Sequence, residues 1–349
     1  MKELKDKITT SLKNKIPFVM YRKPNSEFGK AVFQEDSKTY FTSDYSENGF
    51  VFAPFNSDKK TLLIPFAVAD RFSFITPEIE TFSVSEIKNN TSGIEKKQHE
   101  KLVQKGIDFI INSDTDKVVL SRKELIEVDD CDVFKIYQKL VVNYPTAYVY
   151  CWFHPVSGLW MGATPELLLS SDSQEFKITA LASTQEYKGT LDVDWNEKEK
   201  QEHQFVIDYI VSQLANYKLK ISEIKTVKAG NLVHLRADIS GTISDPNFDL
   251  SKLIETLHPT SATCGLPKES AKEFILKNEH YNREYYTGFL GEINSTLIDL
   301  YVNLRCMKID IKGQNVKLYI GGGITKGSNP IKEWEETVAK SKVMKKVLL

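Results

Sequence analysis

Two pairs of glutamates in this 349-residue chain have a spacing that suits metal binding. Glu199 and Glu202 are three residues apart, as are Glu333 and Glu336, and on a helix each pair shares one face. The first face continues into an apolar stripe at Val206. Carboxylates at the edge of a buried stripe are costly unless a cation neutralises them. A solvated acidic first turn, which the helix dipole favours, is the alternative interpretation.

A lysine and a glutamate next to apolar runs could form an acid and base pair. Lys117 precedes Val118-Val119-Leu120, a run typical of a strand, and on a desolvated strand its pKa would fall from ~10.4 towards neutrality. Glu166 precedes the apolar triplet of ATPELLL, where burial would raise its pKa and suit a general acid. The alternatives are a lysine that extends to solvent and a hydrated strand-end carboxylate.

A glycine triplet and an arginine could bind anions. Gly321-Gly322-Gly323 follows Tyr319-Ile320, and bare backbone N–H groups in such a turn suit an anion. The triplet does not match GxGxxG, so a tight structural turn is the alternative. Arg305 shares the polar face of a predicted strand with Tyr301 and Asn303 and could bind a carboxylate with two hydrogen bonds, unless this is an edge strand with one wet face.

The elements that must position these groups form hairpins rather than regular βαβ units. The patterns predict helices over 95–112, 194–217 and from Pro330, strand pairs over 148–170 and 297–320, and a turn at 312–315. This arrangement favours an α+β fold over a doubly wound sheet.

Composition excludes several other classes of protein. The chain is 41% hydrophobic, and its 46 basic and 47 acidic residues give no bulk charge that would attract nucleic acid or an anionic membrane. Its four cysteines form no CxxC pair and give no zinc spacing, so we expect reduced thiols. No signal peptide and no apolar run of the ~20 residues that span a membrane are recognisable. We expect a cytoplasmic protein.

Seven sequence blocks, taken in order, resemble a known family. KVVLSR, GATPELLL, EKQEHQFV, HPTSATCGLP, REYYTGFLG, VNLRC and GGGITKGSNPIKEWEETVAK resemble those of the chorismate-utilising enzymes, over about residues 98–343. The resemblance implies a single large α+β domain, residues 1–349, with face-packed antiparallel sheets flanked by helices. Residues 1–95 would be its variable N-terminal part and residues 96–345 would carry the catalytic core motifs.

The resemblance also implies a role for each candidate residue. Glu202 and Glu336 look like direct Mg²⁺ ligands, with Glu199 and Glu333 behind them through water, and oxygen ligands fit magnesium. The implied contacts to the dianionic chorismate come from Arg305, Lys340 and the amides near Gly322 and Gly323. His258 falls at the family's active-site histidine, and Thr263, with Ala262, is expected to line the pocket.

The subclass follows from the nucleophile. Family members that use ammonia resemble one another in carrying glutamine where this chain has Lys117; because water needs a base and ammonia does not, Lys117 implies water attack. The aminodeoxychorismate synthases carry a lysine in a motif resembling PIKGT, where this chain has Ala182 within Ala180–Thr184. Ser183 replaces the glycine usual in that motif, a change that would add bulk to the pocket.

The resemblance is therefore to isochorismate synthases, with Lys117 as base, Glu166 as acid and Mg²⁺ as cofactor. The product would serve menaquinone or siderophore biosynthesis. We expect no glutamine amidotransferase subunit, no nucleic-acid or membrane partner, and a monomer or homodimer. A salicylate synthase, which would also eliminate pyruvate, and a non-catalytic chorismate-binding protein are the alternatives.

Overall fold

The computed structural model of the chain describes residues 2–76, 93–128, 131–172, 174–229, 232–243, 249–294 and 297–348. Seven α-helices lie in these ranges: Lys2–Asn14 (α1), Gly93–Ile111 (α2), Val133–Asn143 (α3), Glu197–Gln213 (α4), Leu250–Leu257 (α5), Lys268–Asn278 (α6) and Pro330–Leu348 (α7). The strands in the first half of these ranges are Phe18–Arg22 (β1), Phe28–Gln34 (β2), Tyr40–Thr42 (β3), Gly49–Ala53 (β4), Thr61–Pro65 (β5), Ala69–Ile75 (β6), Lys117–Glu127 (β7), Tyr148–His154 (β8), Gly158–Thr164 (β9) and Leu167–Ser171 (β10). The remaining strands are Glu175–Glu186 (β11), Leu219–Ile221 (β12), Lys225–Ala229 (β13), Leu232–Thr242 (β14), Gly265–Leu266 (β15), Phe289–Ile293 (β16), Ile298–Val302 (β17), Cys306–Asp310 (β18) and Asn315–Ile324 (β19).

The strands form two antiparallel sheets. The nine-stranded sheet has the order β15-β7-β19-β18-β9-β8-β1-β2-β6, and the ten-stranded sheet has the order β12-β14-β11-β10-β17-β16-β4-β5-β3, with β13 also paired to β14. Because side chains alternate between the two faces of a strand, each sheet contributes apolar residues both to the space between the sheets and to an outer layer of helices.

The space between the sheets is filled by aromatic side chains. Tyr148 stacks on Tyr301 of the opposite sheet with ring centroids 4.2 Å apart, and Phe52 lies 5.1 Å from Trp152. On the outer faces, α1, α3 and α7 pack on the nine-stranded sheet, and α4 and α5 pack on the ten-stranded one. The resulting four layers confirm the α+β fold with face-packed antiparallel sheets that the sequence predicts.

Two of the points at which the chain crosses between the two sheets lie next to each other. One crossing joins β9 to β10 through Pro165 and Glu166, and the other joins β17 to β18 through residues 303–305. The crossings are bonded to each other, because the Val302 amide donates to the Glu166 carbonyl at 3.0 Å and the Ala163 amide donates to the Arg305 carbonyl at 3.1 Å. Two predicted site residues, Glu166 and Arg305, therefore lie side by side where the sheets separate.

The second crossing corrects the sequence-based prediction of one continuous strand over residues 297–311. Arg305 has a φ of 46°, a left-handed conformation that a strand cannot contain. The fully buried Asn303 stabilises the bend, because its side chain accepts a hydrogen bond from Tyr150 and donates one to the Tyr285 carbonyl. Polar and apolar residues do alternate along this segment, but its first half, β17, belongs to the ten-stranded sheet and its second half, β18, belongs to the nine-stranded sheet.

The predicted start of the C-terminal helix agrees with the structure, whereas the helix predicted from residue 194 begins at Glu197. Asn329 caps α7 by accepting from the amides of Ile331 and Lys332, with Pro330 as the first helical residue. Asn196 caps α4 in a reciprocal capping box with Glu199. Helix α4 is shorter than predicted, because it ends at Gln213 instead of at residue 217. The expected division of the domain near residue 95 remains a prediction.

None of the described helices has the length and apolar character of a membrane span.

A buried ion pair fixes the segments behind the site. The Glu279 carboxylate binds the Arg283 guanidinium, with Nη2 and Oε1 2.6 Å apart. The same guanidinium donates to the carbonyls of Val119 on β7 and Thr263, while Glu279 accepts from the Ser121 amide. These contacts join β7 to two loops that are far from it in sequence.

Replacing Glu279 with glutamine is expected to lower the free energy of unfolding by about 3–5 kcal/mol, because it leaves a buried guanidinium charge uncompensated. Urea denaturation at pH 7 measures the change. Lys96→Gln, which removes an exposed pair with Glu100 on α2, is the control and should leave the midpoint unchanged. A Glu279→Gln midpoint equal to that of the wild type would contradict the role given to the pair.

Candidate active site

A cavity of about 350 Å³ lies beside the two crossings, between the sheets and the helices α4 and α7. Its size is in the range of small-molecule sites. Ten of the twelve residues predicted from the sequence line it: Lys117, Glu166, Glu199, Glu202, Thr263, Arg305, Gly323, Glu333, Glu336 and Lys340. Residues from seven separate stretches of the chain thus meet at one cavity.

Lys117 begins β7 and extends its side chain across a bare stretch of β19. A Cβ atom on Gly323 would lie 2.8 Å from Lys117 Cε and 3.5 Å from its Nζ, so a larger residue there would displace the end of the lysine side chain. Burial lowers the pKa of Lys117, although the nearby carboxylates of Glu202 and Glu166 act in the opposite direction. Its amine can therefore lose a proton more easily than a lysine in water.

Glu166 lies on the first crossing and is 4% exposed. Burial raises the pKa of its carboxyl group to about 7, while the positive charge of Lys117 and a hydrogen bond with Thr260 oppose this change. At neutral pH a substantial fraction of the group is therefore protonated. A proton donor and a proton acceptor line the same cavity.

The four glutamates reach the cavity from two helices. On α7, Glu333 and Glu336 face the bare backbone of β19, where a Cβ on Gly322 would lie 3.4 Å from Glu333 Oε2 and 4.0 Å from Glu336 Oε1. Glu199 and Glu202 come from α4, which packs on the ten-stranded sheet. The set offers only oxygen ligands, which suit a hard divalent cation.

Some of these carboxylates also have protein partners. Glu336 Oε1 lies 2.6 Å from Lys340 Nζ, and both oxygens of Glu199 accept from Gln185, at 3.0 and 2.9 Å. Glu199 Oε2 also accepts from the Asn196 amide in the capping box. Among the described residues, no three histidine, cysteine or acidic side chains converge closely enough to form a metal cage. Glu199 is thus a capping-box partner in the first turn of α4 and not simply a solvated acidic residue, and its metal role remains a prediction.

Two cations complete the cavity wall. Arg305 is placed by the left-handed bend of the second crossing, and burial lowers the pKa of its guanidinium to about 10. Lys340 donates to the Gly321 carbonyl at 3.1 Å as well as pairing with Glu336. Both positive groups lie within the cavity lining, where a small anion could meet them.

His258 and Gly322 are the two predicted residues outside the lining. The His258 ring is buried behind the wall, where its Nε2 lies 3.2 Å from the Pro54 carbonyl and its centroid 5.0 Å from that of Phe289. The substrate contact expected of His258 stays a prediction, which the position of the ring outside the cavity lining does not support. Gly322 is turned towards the α7 glutamates, whereas its neighbours Gly321 and Gly323 face the cavity.

Ser183, the departure from the usual glycine, lies at a β-bulge of β11 with a φ of 60°. Glycine adopts this region readily and serine is strained in it. The serine hydroxyl compensates by donating to the Glu199 carbonyl at 2.6 Å, which ties the bulge to α4. Ser183 also lines the cavity, in line with the added bulk expected there.

Three residues near the cavity are not identified by the sequence analysis. Thr260 bonds Glu166 and lies within the quoted block HPTSATCGLP, so it was within reach of the motif. Tyr286 has its hydroxyl against Gly321, and His234 contacts Arg305. Tyr286 lies within the quoted block REYYTGFLG, so it too was within reach of the motifs. His234 lies outside the quoted blocks and reaches the site through the pairing of β14 with β11.

Comparison with known proteins agrees with this arrangement. A model of the chorismate binding enzyme family matches residues 68–349. A chloroplastic isochorismate synthase from Catharanthus roseus is 29% identical over 249 residues, which are 66% of this chain and 42% of that protein. Isochorismate synthase EntC from Escherichia coli (strain K12) is 28% identical over 263 residues, 72% of this chain and 66% of that protein.

The same fold occurs in a solved structure. A Bacillus anthracis crystal structure assigned as the isochorismate synthase DhbC superposes with a TM-score of 0.79 and 24% identity, covering 99% of both chains. Such an identity supports the fold alone. The chain spans 42% and 66% of the two curated relatives named above. Because the family match extends over most of its length, from residue 68 to its last residue, the chain belongs to the chorismate binding enzyme family.

Proposed function

We propose that this protein is an isochorismate synthase, which converts chorismate to isochorismate with Mg²⁺ as cofactor. The observation that carries the proposal is the pair of opposite pKa shifts in one cavity, with an amine whose pKa is lowered and a carboxyl group whose pKa is raised. The names of the Catharanthus roseus and Escherichia coli relatives support it. The product is proposed to feed menaquinone or siderophore biosynthesis.

The proposed mechanism uses Lys117 as base and Glu166 as acid. The neutral amine of Lys117 takes a proton from a water molecule, whose oxygen bonds to ring carbon 2 of chorismate. Glu166 gives its proton to the hydroxyl group on carbon 4, which leaves as water while the ring double bonds shift. Water enters and water leaves, so the reaction is an isomerisation. To reset the site, Lys117 releases the proton that it gained to solvent, and Glu166 takes one up.

The cations of the cavity bind the substrate in this proposal. Chorismate carries two carboxylates, and Arg305 and Lys340 are the positive groups that would pair with them. The exposed backbone at Gly323 would add hydrogen-bond donors. Thr263, on the wall, would limit the space around the ring.

Magnesium fits the residues present. The carboxylates of Glu333 and Glu336 converge over the bare Gly322, a cradle that any Cβ would fill, and all the donors are oxygens. Glu202 and Glu336 would hold the ion directly, with Glu199 and Glu333 acting through water. When bound, the ion would supply positive charge that polarises the substrate carboxylate.

Water as the nucleophile distinguishes this proposal from the ammonia-using members of the family. An amine base at position 117 is needed only if the attacking molecule must lose a proton. We therefore propose that the protein acts without an amidotransferase subunit. We also propose that it is a cytoplasmic protein and a monomer or homodimer.

Identification of the product tests the proposal. Purified protein incubated with chorismate and Mg²⁺ is expected to yield isochorismate, separated by chromatography, with no pyruvate. A chelator should stop turnover and added Mg²⁺ should restore it. Salicylate with pyruvate would instead identify a salicylate synthase, and the absence of any chorismate consumption would identify a non-catalytic binding protein.

Lys117→Gln is expected to lower kcat by about 10²- to 10⁴-fold, because the glutamine amide cannot accept the proton of water. Steady-state kinetics with chorismate measures the loss. Lys123→Gln is the matched control, since Lys123 lies on the same strand but is exposed. If Lys117→Gln kept most of its rate while remaining folded, the base assignment would be wrong.

The pH dependence of kcat/KM is expected to fall on the alkaline side near the pKa of Glu166, about 7. The acid must be protonated to act, so its contribution is present below that pKa and lost as the pH rises through it. In Glu166→Gln, which cannot donate a proton in this way, the residual rate should lose this alkaline fall. A wild-type rate that kept rising to about pH 9 would exclude Glu166 as the acid.

A further inference from the structure

His234 lies on β14 and joins a backbone bulge to the arginine of the cavity. Its Nε2 is 2.7 Å from Arg305 Nη2. Its Nδ1 is 2.9 Å from the Ser183 carbonyl and 3.2 Å from the Thr184 hydroxyl. The residue is 7% exposed and lines the cavity, although the mechanism proposed above does not use it.

The two contacts together fix the protonation state of the imidazole. A carbonyl oxygen only accepts, so Nδ1 must carry the hydrogen; a guanidinium only donates, so Nε2 must carry a lone pair. Both conditions are met only by the neutral ring in its Nδ1–H form. Burial, together with the Arg305 charge, lowers the pKa of His234 to about 3, so protonation does not disturb this state in the neutral range.

A neutral acceptor has a specific advantage next to an anion-binding arginine. A carboxylate in the place of His234 would orient Arg305 equally well, but it would neutralise the guanidinium and compete with an incoming carboxylate. The imidazole accepts a hydrogen bond without adding negative charge. Arg305 is thereby directed and keeps its full positive charge.

The anchor of the imidazole is itself tied to the helix that carries two of the glutamates. The Ser183 carbonyl that binds His234 belongs to the bulge whose hydroxyl donates to the Glu199 carbonyl on α4. A chain of hydrogen bonds through His234 and Ser183 therefore connects the Arg305 guanidinium to the first turn of α4. A shift of either group would be transmitted to the other through three hydrogen bonds.

We propose that His234 is a positioning residue, which aims the Arg305 guanidinium at a substrate carboxylate without itself adding negative charge beside it. The substrate side of this inference rests on the proposed function, because chorismate supplies the carboxylate.

Steady-state kinetics of three variants tests the proposal. In His234→Ala the KM for chorismate should rise on the order of tenfold, with a smaller change in kcat, because a charge-assisted contact is misdirected. In His234→Gln the side-chain oxygen can still accept from Arg305, so part of the affinity should return. In His234→Glu the added carboxylate should raise KM at least as much as alanine does.

His154→Gln is the control for loss of a buried imidazole, since His154 is the fully buried last residue of β8 and lies outside the cavity lining. It should leave KM unchanged. A folded His234→Ala variant with wild-type KM, or a His234→Glu variant that binds as tightly as the wild type, would overturn the positioning role. If the wild type fails to convert chorismate, the proposed function fails instead, and the order of affinities is then measured by calorimetric binding of chorismate to the same variants.

Discussion

The site depends on the contact between the two chain crossings. Two strands leave one sheet for the other at neighbouring positions, and their backbones are bonded to each other through Val302 with Glu166 and Ala163 with Arg305. Where chains pass between packed sheets, the sheets must separate, which opens a space that side chains from both can reach. The carboxyl group and the guanidinium on these crossings are buried because the crossings are buried.

The energetic consequence is a concentration of charge in a poorly solvated space. Lys117, Glu166 and Arg305 would each be costly to bury alone, and the pKa of each is shifted towards its neutral form, chiefly by burial. Buried contacts around the cavity stabilise the fold against this unfavourable burial. One of them is the ion pair of Glu279 with Arg283, which joins β7 to its neighbouring loops. Burial of Lys117, Glu166 and Arg305 lowers the free energy of unfolding, and the same burial shifts the pKa of each group.

Local patterns predicted the features that depend on local physics. The caps at Asn196 and Asn329, the i, i+3 glutamates and the hairpin strands could all be read from sequence, because capping and periodicity act over a few residues. The bend at Arg305 could not, since a regular alternation continues through it and only the pairing with two different sheets reveals it. The motif block around His258 pointed to the right region, but Thr263 is the residue of the two that lines the cavity, and Thr260 bonds Glu166.

The order of strands in the nine-stranded sheet has a consequence for synthesis on the ribosome. Between β7, which carries Lys117, and β9, which leads to Glu166, lie β19 and β18, the last two strands to be made. A nascent chain that ends before residue 306 contains both Lys117 and Glu166 but lacks the strands that lie between β7 and β9. Because such long-range pairings form late, the emerging polypeptide cannot assemble this cavity until the residues of β18 and β19 have left the ribosome.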